Sequence, residues 1–198
     1  MIKPYKLVVE KLLRKENKFI TRTEIEKDCI KLNLDYIILI KYLIRHKYLE
    51  RILKGIFYVY SLEERKLGKL EKNIYEIITH ALKIKKINNW YFGLETALKM
   101  NNLTHEYFTT IYIINDTIFR AKPIKIMNHK VKFYKTNKLL FFGIKNNIYT
   151  YSDPEKTILD MIYFKKIEGL NEYEKKLSKS KLKKYAKYYN LKIEKMLK

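Results

Sequence analysis

Lys41 and Arg45 stand four residues apart in DYIILIKYLIRHK, residues 35–47, so on a helix they share one face. With Tyr36 and Tyr42 they are the polar side chains that such a helix can lay into a DNA groove, where base edges are read by hydrogen bonds. Arg22 and Thr23 stand at the start of the preceding helical run, where backbone N–H groups can hold a phosphate. Lys54 falls in a Lys-Gly turn between two β-type runs and would meet the adjacent phosphate backbone or the minor groove. These seven side chains are the candidate nucleic-acid contacts. For Lys41 and Arg45 the competing reading is a plain solvated helix face.

The elements that must position them lie in residues 18–60, KFITRTEIEKDCIKLNLDYIILIKYLIRHKYLERILKGIFYVY. Phe19 and Ile20 read as a short strand. Thr21 with Glu24 three residues later is a capping box that starts a helix through about Leu32. Asn33 breaks it, and Asp35 caps a second helix to about Lys47, with Ile37, Ile40 and Ile44 as its core-facing stripe. Leu49 to Leu53 and Ile56 to Tyr60 form a hairpin joined at Lys54-Gly55, where glycine supplies a positive φ. The apolar residues Tyr5, Val8, Val9, Leu12 and Leu13 supply a first helix. That order is a winged helix-turn-helix over residues 1–62, with the second capped helix as recognition helix and the hairpin as wing.

Composition agrees with a polyanionic partner. The chain has 198 residues and a formal charge of +22, from 43 basic and 21 acidic side chains. Of the basic residues 37 are Lys and 6 Arg, while Ile, Asn and Tyr abound and Gly and Pro are scarce, the pattern an AT-rich coding sequence produces whatever the function. Part of the charge is therefore compositional, and charge alone does not choose among DNA, RNA and a membrane surface. With 47% hydrophobic residues the chain can build packed cores. It holds no apolar run of the roughly 20 residues needed to span a bilayer, and Lys3, Lys6, Glu10 and Lys11 interrupt any secretory-type leader. A lone Cys29 excludes an internal disulfide and fits a reducing cytoplasm.

Other chemistry reads more weakly. Asp153, Glu155 and Asp160 could hold Mg²⁺ for a nuclease, but the first two sit where a helix N-terminus favours negative charge, and no lysine motif precedes them on a strand. His46, His80, His105 and His129 lack metal-ligand spacing, and the glycines make no phosphate loop. Trp90, Tyr91 and Phe92 could stack bases, yet beside an Ala-Leu helix they read as core. No catalytic residue, metal or cofactor is expected.

Ser61 to Leu70 is charged, carries Gly68 and reads as a linker to a second domain, residues 63–198, giving an α+β (mixed) chain. Helices are expected over Leu70 to Lys85, Gly93 to Leu103 and Thr157 to Phe164, the last introduced by Ser152-Asp-Pro-Glu155. Trp90-Tyr91, Thr109 to Ile114, Ile118 to Arg120, Ile124 to Met127, Val131 to Tyr134, Leu139 to Phe142 and Ile148 to Tyr151 read as extended runs, with a hairpin turn at Asn128-His129. Residues 165–198 form a basic helical tail whose apolar content is Tyr185, Tyr188, Tyr189, Leu191 and Met196. Its lysines offer non-specific phosphate contacts, or else its tyrosines pack it on the second domain.

Three blocks, ITRTEIE with LIRHKYLERILKGIFYV, NWYFGLETALKMNNLTHEYFTTIYII, and LLFFGIKNNIYTYSDPEKTILDMI, taken in this order, resemble the AbiEi antitoxins, the transcriptional-regulator half of type IV toxin–antitoxin and phage-defence operons. The resemblance spans nearly the whole chain. It departs at His46-Lys47, where such a domain usually has glycine to end the recognition helix. The resemblance implies a first domain that binds double-stranded DNA at its own promoter and represses the operon. It also implies a second domain that opposes a nucleotidyltransferase-like toxin encoded beside it, with or without direct contact. The alternative from the residues alone is an RNA-binding or RNA-processing accessory protein.

Overall fold

Thr21 opens the first capped helix of the chain with both halves of its capping box in place. Its hydroxyl accepts from the Glu24 N–H at 3.3 Å, and its own N–H donates to the Glu24 carboxylate at 2.8 Å. In the computed structural model, which describes residues 4–168, 171–189 and 193, α1 (Pro4–Leu13) is followed by β1 (Phe19–Thr21) and α2 (Arg22–Leu32). Asp35 accepts from the Ile38 N–H at 2.8 Å and starts α3 (Tyr36–Arg45). The chain returns through β2 (Leu49–Leu53) and β3 (Ile56–Val59), and β3 lies between β1 and β2 in an antiparallel sheet. The turn between them needs Gly55, whose φ is +80°.

The buried side of α3 is Leu39, Ile40 and Leu43, packed with Val8, Leu12, Ile25 and Phe57. This corrects the stripe read from the sequence: Ile37 is 60% exposed and Ile44 only half-buried, because Ile37 shares its face with Lys41 and Arg45. Five apolar or aromatic residues in a row carry no phase, and the two cations beyond them set it.

The end of α3 is built on a residue other than glycine. Lys47 has φ +53°, its N–H reaches the Ile44 carbonyl at 3.0 Å, and the Tyr48 N–H reaches the Leu43 carbonyl at 2.8 Å. This is a Schellman ending with lysine in the left-handed position, so the departure at His46-Lys47 strains the backbone and does not fray the helix. Asn33, Asn102 and Lys165, at φ of 50°, 55° and 56°, end other helices of the chain in the same conformation.

Ser61 to Gly68 is not a loose join. Ser61 and Glu64 form a second capping box, giving α4 (Leu62–Leu67), and Gly68 ends it at φ +67°. Glu64 is buried and accepts from the Tyr58 hydroxyl at 2.6 Å and from the N–H groups of Ser61 at 2.8 Å and Glu71 at 3.0 Å, with the Lys18 ammonium 3.5 Å away. Burial pushes this carboxyl up, but those donors together hold it below the usual carboxylate range. The next helix, α5 (Ile74–Ile84), packs on β2 and β3, and His80 stacks on Phe19. The contacts accordingly divide the chain between Lys86 and Ile87, where the sequence suggested a division after residue 62.

The second unit holds a six-stranded mixed sheet. Its strands are β4 (Trp90–Phe92), β5 (Thr110–Asn115), β6 (Ile124–Ile126), β7 (His129–Lys135), β8 (Ile144–Asn146) and β9 (Thr150–Ser152), in the order β6-β7-β5-β4-β9-β8. The pairs β5–β7 and β4–β9 are parallel, and the remaining neighbours are antiparallel. Its helices are α6 (Leu94–Met100), α7 (Pro154–Tyr163) and α8 (Lys179–Ala186). Two expected strands are absent. Ile118 to Arg120 is held as a turn because the buried Asn115 side chain accepts from the Thr117 and Ile118 N–H groups and donates to the Ile118 and Tyr134 carbonyls. In the second, Asn137 caps the Leu139 N–H and starts a short 3-10 turn, Lys138–Leu140.

The tail is docked through its aromatic side as far as it is described. Lys156 on α7 is fully buried, 3.0 Å from Asp160, with the rings of Tyr91, Phe142 and Tyr189 around its ammonium. Tyr189 donates to Asp160 at 2.6 Å, Tyr185 to Asp153 at 2.9 Å, and Lys181 lies 2.7 Å from Asp153 and 3.1 Å from Glu155. Tyr188 also meets the Phe142 ring but stays half exposed. Leu191 and Met196 lie outside the described residues.

Two stability outcomes follow. Lys47→Gly relieves the left-handed strain and should stabilise by about 0.5–1 kcal/mol after allowing for glycine's extra freedom when unfolded. Thermal melting should show a rise of a few degrees that Lys47→Ala does not give. Glu64→Gln places an amide NH₂ among groups that all donate, and should cost about 1–3 kcal/mol at neutral pH. Because the folded carboxyl titrates below its unfolded value of about 4.3, its contribution is present above that pH and lost as pH falls through the folded value. Urea titrations from pH 7 to pH 3 should therefore show the gap between wild type and variant closing below about pH 4.

Candidate nucleic-acid interface

Burying Leu39, Ile40 and Leu43 turns the opposite side of α3 outward. That side carries Ile37, Ile38, Lys41 and Arg45, which at 3.6 residues per turn fall within an arc of about 100°. All four are exposed, the two isoleucines by 60% and 58%. Among the described residues neither Lys41 nor Arg45 has an acidic partner, so their charge faces outward uncompensated.

The two tyrosines of the helix are held rather than free. Tyr36 is half-buried beneath the Arg22 guanidinium, 5.1 Å from its ring, and burial pushes its hydroxyl up. Tyr42 packs among Tyr5, His46 and Tyr48, with ring centroids 5.5, 4.4 and 6.4 Å away. Both are half-buried.

At the start of α2 the phosphate reading narrows. The Arg22 N–H donates to the Gly55 carbonyl at 2.8 Å and the Glu24 N–H to the Thr21 hydroxyl, which leaves that of Thr23. The Arg22 side chain is exposed and bonded to Glu26 at 2.7 Å, so an incoming phosphate would compete with a carboxylate. Thr23 is exposed beside it.

The Arg22–Gly55 bond also ties the hairpin turn to the helix. Lys54 is exposed in that turn, and its carbonyl accepts from the Lys85 ammonium at 3.2 Å. Arg22, Lys54 and Lys85 therefore gather at one end, while Lys41 and Arg45 lie along α3. Arg51 on β2 sits over Phe57, and its charge is felt by the Tyr36 hydroxyl.

Sequence reasoning missed Arg51, Lys85, Ile37 and Ile38 as members of this surface. Arg51 could have been found from strand alternation, since Ile52 beside it is buried. Ile37 could have been found from its four-residue spacing to Lys41. Lys85 gives no signal, because from the sequence its helix reads as part of the second domain.

The carboxylates weighed for a metal are engaged elsewhere, Asp160 with Lys156, and Asp153 and Glu155 with Lys181. Among the described residues no cluster of His, Cys, Asp and Glu is placed to hold a metal, and no helix is long and apolar enough to cross a membrane. Tyr91 and Phe92 are buried, Trp90 is half-buried against Phe92, and Cys29 is buried in the first core.

No protein-family model matches the chain, and no curated protein matches it. Among solved structures, the RV2827C protein from Mycobacterium tuberculosis is similar, with a TM-score of 0.60 at 12% identity over 94% of this chain and 72% of that one. At that identity the likeness is one of fold.

Proposed function

We propose that this chain is a DNA-binding transcriptional repressor of its own promoter and an antitoxin, with residues 1–62 forming a winged helix-turn-helix. The observation that carries the DNA half is the outward face of α3, where Lys41 and Arg45, without an acidic partner among the described residues, lie directly opposite the buried Leu39, Ile40 and Leu43. A recognition helix needs this division, because one side must anchor in the core while the other enters the major groove. The β2–β3 hairpin, with Lys54 exposed at its turn, supports the wing reading, and Arg51, whose charge reaches the Tyr36 hydroxyl, adds charge near the N-terminal end of α3, where Arg22 is already bonded to Glu26. The net charge of +22 supports a polyanion as partner.

The antitoxin half rests on the resemblance to the AbiEi family, which makes the second unit the part that opposes a nucleotidyltransferase-like toxin. The aromatic docking of α8 gives part of the basic tail a packing role, with Lys183, Lys184 and Lys187 exposed for any non-specific phosphate contact.

Gel-shift titrations at several salt concentrations test the DNA reading. Arg45→Ala should weaken promoter binding by about 1–3 kcal/mol and relax sequence preference. Lys54→Ala should weaken promoter and unrelated duplex alike and flatten the salt slope by about 0.9. Wild-type binding by both variants, or a preference for structured RNA over the promoter, would remove α3 and the turn as the DNA surface.

Co-expression with the adjacent toxin gene tests the division of labour. Arg45→Ala should lose repression and still protect, and a chain beginning at Ile87 should protect without binding the promoter. Failure of both to protect, while folded and soluble, would refute the assignment of protection to the second unit.

A further inference from the structure

Ile37 and Ile38 are adjacent in the first turn of α3, on the face opposite the core, and are 60% and 58% exposed. Other large apolar side chains of the chain are more exposed, Ile30 and Ile148 among them, so what sets this pair apart is its place beside Lys41 and Arg45 on one helix face. The pair is bordered on the same face by Lys41 and Arg45 and, at the N-terminal end of α3, by Arg22 over Tyr36. The negative groups nearby are Asp35, which caps the helix, and Glu26, which is bonded to Arg22. An apolar pair flanked along its helix by Lys41 and Arg45 fits a ligand that is anionic at its rim and presents small apolar groups at its floor. The major groove of A·T-rich duplex DNA has that form, because each thymine projects a C5-methyl group between two phosphate backbones.

We infer that Ile37 and Ile38 are specificity-determining residues that read thymine methyl groups in the major groove. The assignment rests on the DNA reading above and adds the base class to it. Composition points the same way. A chain rich in Lys, Ile and Asn and poor in Gly and Pro comes from an AT-rich coding sequence, and the DNA around such a gene offers few guanines for arginine and many thymines for an aliphatic side chain. The helix supplies one candidate guanine contact, Arg45, near its end, and places the apolar pair in the first turn, where recognition helices approach base edges.

The experiment uses the full chain and the DNA immediately upstream of its own coding sequence, copied with either dTTP or dUTP so that the two duplexes differ only in the thymine methyl groups. Burial of one methyl is worth about fourfold in affinity, so wild type contacting two should bind the thymine duplex about fifteenfold more tightly than the uracil duplex. The double variant Ile37→Ala, Ile38→Ala, whose changes are on the surface and should leave the melting temperature unchanged, should bind both duplexes equally, near the wild-type affinity for uracil DNA. Equal binding of the two duplexes by wild type that still prefers its promoter over an unrelated duplex of the same composition overturns the thymine assignment alone. A thymine preference that survives in the double variant also overturns it, and leaves the isoleucine pair to a protein contact. Absence of any promoter preference in wild type overturns the DNA reading and the thymine assignment with it.

Discussion

The burial of Leu39, Ile40 and Leu43 sets the rotation of α3 about its own axis, and the candidate interface depends on that rotation. Each side chain contributes about 1.5–3 kcal/mol by leaving water. Turning the helix by one residue would lose part of that and carry Lys41 toward the core, where an unpaired ammonium is costly. The two effects have the same sign, so the exposed isoleucines are a consequence of the only phase that satisfies both. The bond from the Arg22 N–H to the Gly55 carbonyl then holds the hairpin turn against α2, and α2 carries the guanidinium that covers Tyr36.

Local motifs were legible wherever a side chain bonds its own neighbourhood. Thr21 with Glu24 and Asp35 cap the helices they announce, and Gly55 turns the hairpin; in Ser152-Asp-Pro-Glu155 the helix start is legible but the cap is Asp153, and Glu155 bonds Ser178 and Lys181 instead of closing a capping box. The rotation of α3 was not read correctly, because Tyr36 to Ile40 contains no charged residue to mark a side. The placement of α5 was not legible either, since an amphipathic stripe says that a helix packs but not on which sheet. At Ile118 to Arg120 β propensity lost to four hydrogen bonds from the single buried side chain of Asn115.

Formal charge also overstates what a partner would meet. Lys156 is spent inside the second unit against Asp160 and three aromatic rings, and Lys181 and Lys166 are drawn to carboxylates. In contrast, Lys41 and Arg45 are exposed and have no acidic partner among the described residues. Where a lysine sits therefore matters more to recognition here than how many there are, because a buried or paired cation attracts nothing.

The left-handed helix endings have a genetic side. Lysine at positions 47, 86 and 165 and asparagine at 33 and 102 all adopt φ between 50° and 58°, where glycine would sit without strain. A lysine codon lies two base changes from a glycine codon, and the single-step intermediates encode arginine or glutamate, neither of which relieves the backbone. For asparagine the intermediates are serine and aspartate, of which aspartate tolerates this conformation. One change at the third codon position instead takes lysine to asparagine, the residue that ends the helices at 33 and 102, so partial relief of the lysine endings lies one mutation away and full relief by glycine two.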